Sequence, residues 1–178
     1  MIPALIVLGT STSQIILLHI ASAIHHITED FDNHILLAEY GISETILHII
    51  HSSIQQGRFL ASLANSSDEN MKESFIECRK TLALITKALS ILSSSPEMQI
   101  QLASEGRLEK LLKLCYAPET AFTEAVHDLL LLSVLELSLH GSVKSIIPLG
   151  CLHHCRQNLR GFVLAGKRIR TSIVASCH

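Results

Sequence analysis

One arrangement occurs twice in this chain: a short apolar run stops at a glycine, and a second apolar helix begins at the next residue. Leu36-Leu37-Ala38-Glu39-Tyr40 runs into Gly41, after which Ile42, Ile46, Ile49 and Ile50 recur at helical spacing with Glu44, His48 and His51 off that face. Gln101-Leu102-Ala103-Ser104-Glu105 runs into Gly106, after which Leu108, Leu111, Leu112 and Leu114 do the same. The residue just past a helix end usually needs a positive φ, which glycine adopts at little cost. Both stretches therefore predict two helices joined by a tight corner.

The rest of the chain extends that pattern. An apolar stretch over 14–27 (Ile15, Ile16, Leu18, Ile20, Ile24 and Ile27) covers most of a helix and predicts burial on more than one side. It stops at Thr28-Glu29-Asp30, and Asp32 or Asn33 is expected to cap the short helix that follows. Ser95-Pro96-Glu97 opens another, with Met98, Ile100 and Leu102 as its apolar side. A long helix is expected from about Glu119 to Leu139, burying Phe122, Val126, Leu129, Leu130, Val134 and Leu137. A third pass starts at Val143, Ile146 and Ile147 and turns at Gly150.

Composition agrees with helices throughout. Hydrophobic residues make up 48% and aromatic residues only 4%, with no Trp. The core must be built from Leu, Ile and Ala, which pack well between helices, and a disordered polyelectrolyte is excluded. The fold class read here is all-α.

Spacing gives the organisation. Ile2 to Ile42 spans 40 residues, Gly106 to Gly150 spans 44, and Gly41 to Gly106 spans 65, the excess being assigned to a polar insertion over 55–72 around Ser66-Ser67-Asp68. Periods of about 40–47 residues with two or three helices each mark a helical solenoid. Residues 1–158 are read as one repeat domain, and 159–178 as a basic tail outside the pattern, without helical period or caps.

The segments Leu36–Leu47 and Gln101–Leu112 resemble the turn between the first and second helices of an armadillo repeat. Ile2-Pro3-Ala4-Leu5-Ile6-Val7-Leu8 is similar to the second helix of such a repeat, and the match at Gly150 is weaker; a HEAT or other helix-pair array is the neighbouring alternative. The resemblance implies a right-handed solenoid of about three incomplete repeats that acts as a protein-binding scaffold or adaptor. It also implies a concave groove lined by third helices, with His19, His26, Lys87, Ile91, His127 and Glu136 as partner-binding candidates. The asparagine ladder with which that family holds extended peptides is absent, since His26, Ile91 and Glu136 stand at its positions. Both ends look apolar and cut inside a repeat, as in a fragment or shortened isoform. Self-association through uncapped ends, or a homodimerising assembly segment, is the alternative role.

Charge narrows the partners. After Glu136 come Lys144, Arg156, Arg160, Lys167, Arg168 and Arg170 and no carboxylate, while residues 1–136 hold eight Lys and Arg against sixteen Asp and Glu. The tail could attract an acidic partner, but a chain of net charge −2 is not expected to bind nucleic acid. No stretch reaches the ~20 apolar residues of a membrane span, and no Lys or Arg precedes Arg58 to support a signal peptide. Five irregularly spaced cysteines suggest a reducing compartment, so a cytoplasmic protein is expected. Cys151, His154 and Cys155 share a helix face, but lack a second ligand pair at finger-like spacing, and no metal or other cofactor is assigned. No Gly-x-Ser-x-Gly elbow, phosphate loop or HExxH helix occurs, so no enzymatic activity is expected.

Overall fold

In the computed structural model, which describes residues 1–63, 69–104 and 106–115 together with 126, 130–134 and 137, Gly41 and Gly106 both adopt φ 71°. The helices are α1 (Ile2–Leu8), α2 (Gln14–Thr28), α3 (Asn33–Glu39), α4 (Ile42–Ser62), α5 (Glu69–Leu92), α6 (Pro96–Ala103) and α7 (Arg107–Cys115). Each positive-φ glycine joins a short helix to the next one, α3 to α4 and α6 to α7. The fold is all-helical, with no strand among the described residues.

The helices contact one another at a fixed interval along the chain: α2 packs on α5, α3 on α6 and α4 on α7. Helix α5 is central because it also packs along α4. It therefore buries a broad stripe, with Cys78, Leu82, Ile85, Leu89 and Leu92 spaced at three or four residues. Its buried Thr81 and Thr86, and Ser93 just beyond it, donate to the carbonyls of Glu77, Leu82 and Leu89, so these hydroxyls are satisfied within the chain's own helical turns. One apolar core runs from Ile2 to the helical residues Val126, Leu130, Leu131, Val134 and Leu137. The expected burial of Val126, Leu130, Val134 and Leu137 is thus observed, while Phe122 and Leu129 lie outside the described residues.

Two glutamine side chains tie the layers together. Gln101 of α6 donates to the carbonyl of Ala38 at the end of α3 and accepts from the hydroxyl of Ser43 in α4 at 3.1 Å, bridging the corner at Gly41. Gln14 of α2 donates to Ser53 of α4 at 3.3 Å and to Thr81 of α5 at 3.0 Å. Both amides fix the register of helices that apolar packing alone would let slide.

Several expectations need correction. Helix α2 buries one face (Leu17, Ile20, Ala21, Ile24, His25 and Thr28), whereas Ile15 and Ile16 are 55% and 40% exposed, because its main partner α5 covers only that side. Ile100 is 60% exposed and Gln99 is buried in its stead, its amide donating to the carbonyl of Ser93. Helix α3 starts at Asn33 as expected, but Asp32 is itself helical in backbone and makes no side-chain cap; the Asn33 amide turns back to the carbonyl of Ile27. The stretch 55–72 is mostly helix: α4 continues to Ser62 because Ser53, Ile54, Gly57 and Leu60 prolong its buried face, and α5 begins at Glu69. Residues 64–68 lie outside the described residues, as does the 159–178 tail.

The glycines give a prediction of opposite signs. An added Cβ at Gly41 or Gly106 meets nothing within 4 Å, so Gly41→Ala and Gly106→Ala should each cost only the left-handed strain, about 1–2 kcal/mol. Gly57 also has open space but lies inside α4, where Gly57→Ala should stabilise by up to about 1 kcal/mol. Urea unfolding of the three variants checks this; a loss at Gly57 matching that at Gly41 would contradict it.

Candidate functional site

The residues expected to line a groove fall on α2 and α5, which pack together. His19 and His26 on α2 and Lys87 on α5 are exposed, and Ile91 is half-buried. His26 lies 3.4 Å from the Glu29 carboxylate. The positive charge of Lys87 on α5 opposes protonation of His25 on α2, so the two helices are coupled electrostatically. His127 and Glu136 lie outside the described residues.

His25 is buried, as is His34 of α3, although its ring stacks on that of exposed His26 with centroids 5.7 Å apart and both rings approach the Glu29 carboxylate. The ring of His34 donates from Nε2 to the carbonyl of Thr28 at 2.9 Å, which ties α3 back onto the end of α2. The Nδ1 atoms of both rings are buried without a hydrogen-bond partner. Burial, then the ammonium of Lys87, holds His25 below the ordinary histidine value of 6.5, against a smaller opposing pull from Glu29.

The sign of the pH dependence follows. Above the ordinary value His25 is neutral in both folded and unfolded chains and contributes nothing; below it the unfolded chain takes up a proton that the folded one resists. Stability should therefore fall as the pH is lowered through the ordinary histidine value of 6.5. His25→Leu should flatten that part of the Tm-against-pH curve. An unchanged slope in the variant would exclude His25 as its source.

A second region was not anticipated from the sequence. Helices α4 and α7 leave between them a cleft of about 380 Å³, floored by Leu47 and Ile54 of α4 and Leu114 of α7. His48, His51 and Arg58 of α4 and Lys110 and Lys113 of α7 line it. At one end Glu44 meets Arg107 at 3.3 Å and contacts Lys110. The hydrogen bond from Lys110, with the charge of both cations, holds the Glu44 carboxyl below its usual range even though it is half-exposed. Lys113 pairs with Glu109 at 2.7 Å on the exposed surface, an interaction worth little in water. Arg58 has no ion pair among the described residues. Leu47, Ile54 and Leu114 are themselves buried and show only their edges at the bottom of the cleft, so its accessible apolar surface also draws on the stems of Arg58, Lys110 and Lys113, beneath a cationic rim that suits a ligand carrying apolar groups and carboxylates. The signal in the sequence was weak: Arg58 is separated from Lys110 and Lys113 by half a hundred residues, and only the packing of α7 on α4 brings them together.

A smaller cleft of about 270 Å³ between the end of α4 and the start of α5, around Leu60, Met71 and Phe75, has Lys72 as its charged lining group. Cys78 is buried, and burial together with neighbouring Glu77 pushes its thiol up to about 11, so it stays protonated at neutral pH and is a poor nucleophile. Among the described residues no group of three or more His, Cys, Asp or Glu is placed to hold a metal, and no helix is long and apolar enough to cross a membrane. Cys151, His154 and Cys155 lie outside the described residues. The chain matches no protein-family model, no curated protein and no solved structure.

Proposed function

We propose that the chain is a cytoplasmic protein-interaction scaffold, built as an armadillo-like right-handed solenoid of about three incomplete units, that works by presenting a broad helical surface. The observation that carries this reading is the packing of each of three successive helices on the helix three places later, α2 on α5, α3 on α6 and α4 on α7. Units that contact only their neighbours share one interior and leave long outer faces free for partners. The equal φ of Gly41 and Gly106, each between a short helix and its successor, supports the same reading. Binding would come from buried apolar anchors with polar groups setting register, and no reaction is invoked.

The test is affinity capture by the intact chain from cell lysate beside a control in which Leu111 and Leu130, both fully buried, are changed to Asp so that folding fails. Partners recovered by the folded chain alone support the scaffold; the same partners on both would show that binding does not need the helical stack.

One observation favours a structural variant of this role. Phe31, Ile35, Leu36 and Tyr40, on or beside α3, are 42–67% exposed, an apolar surface suited to stacking on a second copy. Sedimentation velocity over a range of concentrations separates the two: a concentration-independent monomer favours the adaptor, and a tight dimer favours assembly.

A further inference from the structure

We propose that the cleft between α4 and α7 is a docking groove for an acidic amphipathic helix of a partner protein. Apolar side chains of that helix would rest on the aliphatic stems of Arg58, Lys110 and Lys113 above the narrow exposed edges of Leu47, Ile54 and Leu114, and its carboxylates would face the charged ends of those three cations. The proposal rests on the scaffold reading and names the chemistry of one partner.

Charge identifies the occupant. Residues 1–136 hold twice as many carboxylates as cations, yet three of the eight cations line this one cleft against the single carboxylate of Glu44. Glu44 is already engaged by Arg107 and Lys110. Arg58 has no ion pair among the described residues, and Lys113 gives up only an exposed surface pair on meeting a new carboxylate. An excess of positive charge concentrated on an otherwise acidic domain steers and orients an acidic partner.

Shape identifies its form. Leu47, His51, Ile54 and Arg58 follow one another at four, three and four residues, so they make a single stripe along α4. Lys110, Lys113 and Leu114 form the facing stripe on α7. The α4 stripe from Leu47 to Arg58 is about 17 Å long, about three helical turns, and the α7 stripe from Lys110 to Leu114 faces about 6 Å of it. A cleft between two helix stripes, walled by the stems of long cationic side chains, accepts a third helix by its i, i+4, i+7 side chains.

Other occupants fit less well. Nucleic acid would meet the surrounding carboxylates, and a small inorganic anion gains nothing from the leucine and isoleucine floor. The chain's own segment after Glu136 holds six cations and no carboxylate, a charge of the same sign as the rim.

The experiment uses the full chain and two synthetic peptides of about four helical turns. One carries Leu at i, i+4, i+7 and i+11 flanked by Glu, and its twin carries Lys in place of every Glu. Fluorescence anisotropy should show the Glu peptide binding at least about tenfold tighter than the Lys peptide. Arg58→Glu and Lys113→Glu should each weaken the Glu peptide by about tenfold, with helicity and Tm unchanged. The double variant should invert the preference, and Lys80→Glu, on the exposed surface of α5, should have no effect. Equal binding of both peptides, a preference that survives the double reversal, or sensitivity to Lys80→Glu would overturn the proposal. If neither peptide binds while the folded chain still recovers its lysate partners, the groove assignment fails and the scaffold stands. Loss of fold-dependent capture as well would remove the scaffold reading itself.

Discussion

Replacing Leu89 by alanine is expected to lower the free energy of unfolding by about 2–5 kcal/mol, the largest effect of any single truncation considered for this chain. Leu89 is fully buried on α5, the helix that packs on both α2 and α4, so the cavity opens where two helix layers meet a third. The surrounding side chains sit on helices tied together by the Gln14 amide, which limits how far they can collapse into the space. Ile76→Ala on the same helix removes a half-exposed side chain, and should cost well under about 1 kcal/mol. Guanidinium unfolding of the pair reads the contrast directly; similar losses at Leu89 and Ile76 would mean that α5 is not packed on two sides.

Gly9→Ala should be the next most damaging change, at about 1–3 kcal/mol, for the opposite reason. Gly9 follows α1 with an ordinary φ of −65°, so backbone strain is not at issue. A Cβ built there falls 2.4 Å from Cγ2 of Thr45, a buried side chain on α4, and 3.0 Å from the carbonyl of Leu5. The end of α1 and the first turn of α4 would have to separate. Thr45→Ser removes the clashing methyl and should recover most of the loss, a coupling that a double-mutant cycle measures. Independent, additive losses would show that α1 does not rest on α4 at this point.

What the sequence made legible was local. The corners at Gly41 and Gly106 could be read because only one residue type takes φ 71° without strain, and the buried stripe of Ile42, Ile46, Ile49 and Ile50 because 3.6-residue spacing survives in the chain order. Adjacent His25 and His26 differ in burial, one buried and one exposed, yet their rings stack with centroids 5.7 Å apart, a contact that spacing does not reveal. The failures were matters of neighbours. Ile15, Ile16 and Ile100 are as apolar as the residues that did become core, and nothing nearby in the chain says that no helix covers them. Gln55-Gln56-Gly57 looked like the start of a loop, yet a helix interior tolerates one glycine for about 1 kcal/mol when the apolar period continues through Leu60.

The polar features that define register and site were the least legible. Gln101 looks like any exposed helix residue until its amide is found on Ala38 and Ser43, some sixty positions earlier. The cleft of Arg58, Lys110 and Lys113 exists only once α7 lies along α4. Periodicity reports which face of a helix turns inward, and it is silent on which polar groups from distant helices then meet.

Helix α3 stacks on α6 and α4 on α7, and the bridge across the Gly41 corner is the place where that stacking is most directly tested. Isotope-edited NOE spectroscopy of the full chain should detect the side-chain amide protons of Gln101 close to Ala38 and Ser43, with Gly41 and Gly106 both showing left-handed backbone couplings. Cross-peaks placing α6 against a helix other than α3, or Gly106 in a different backbone conformation from Gly41, would contradict the stacking of successive units.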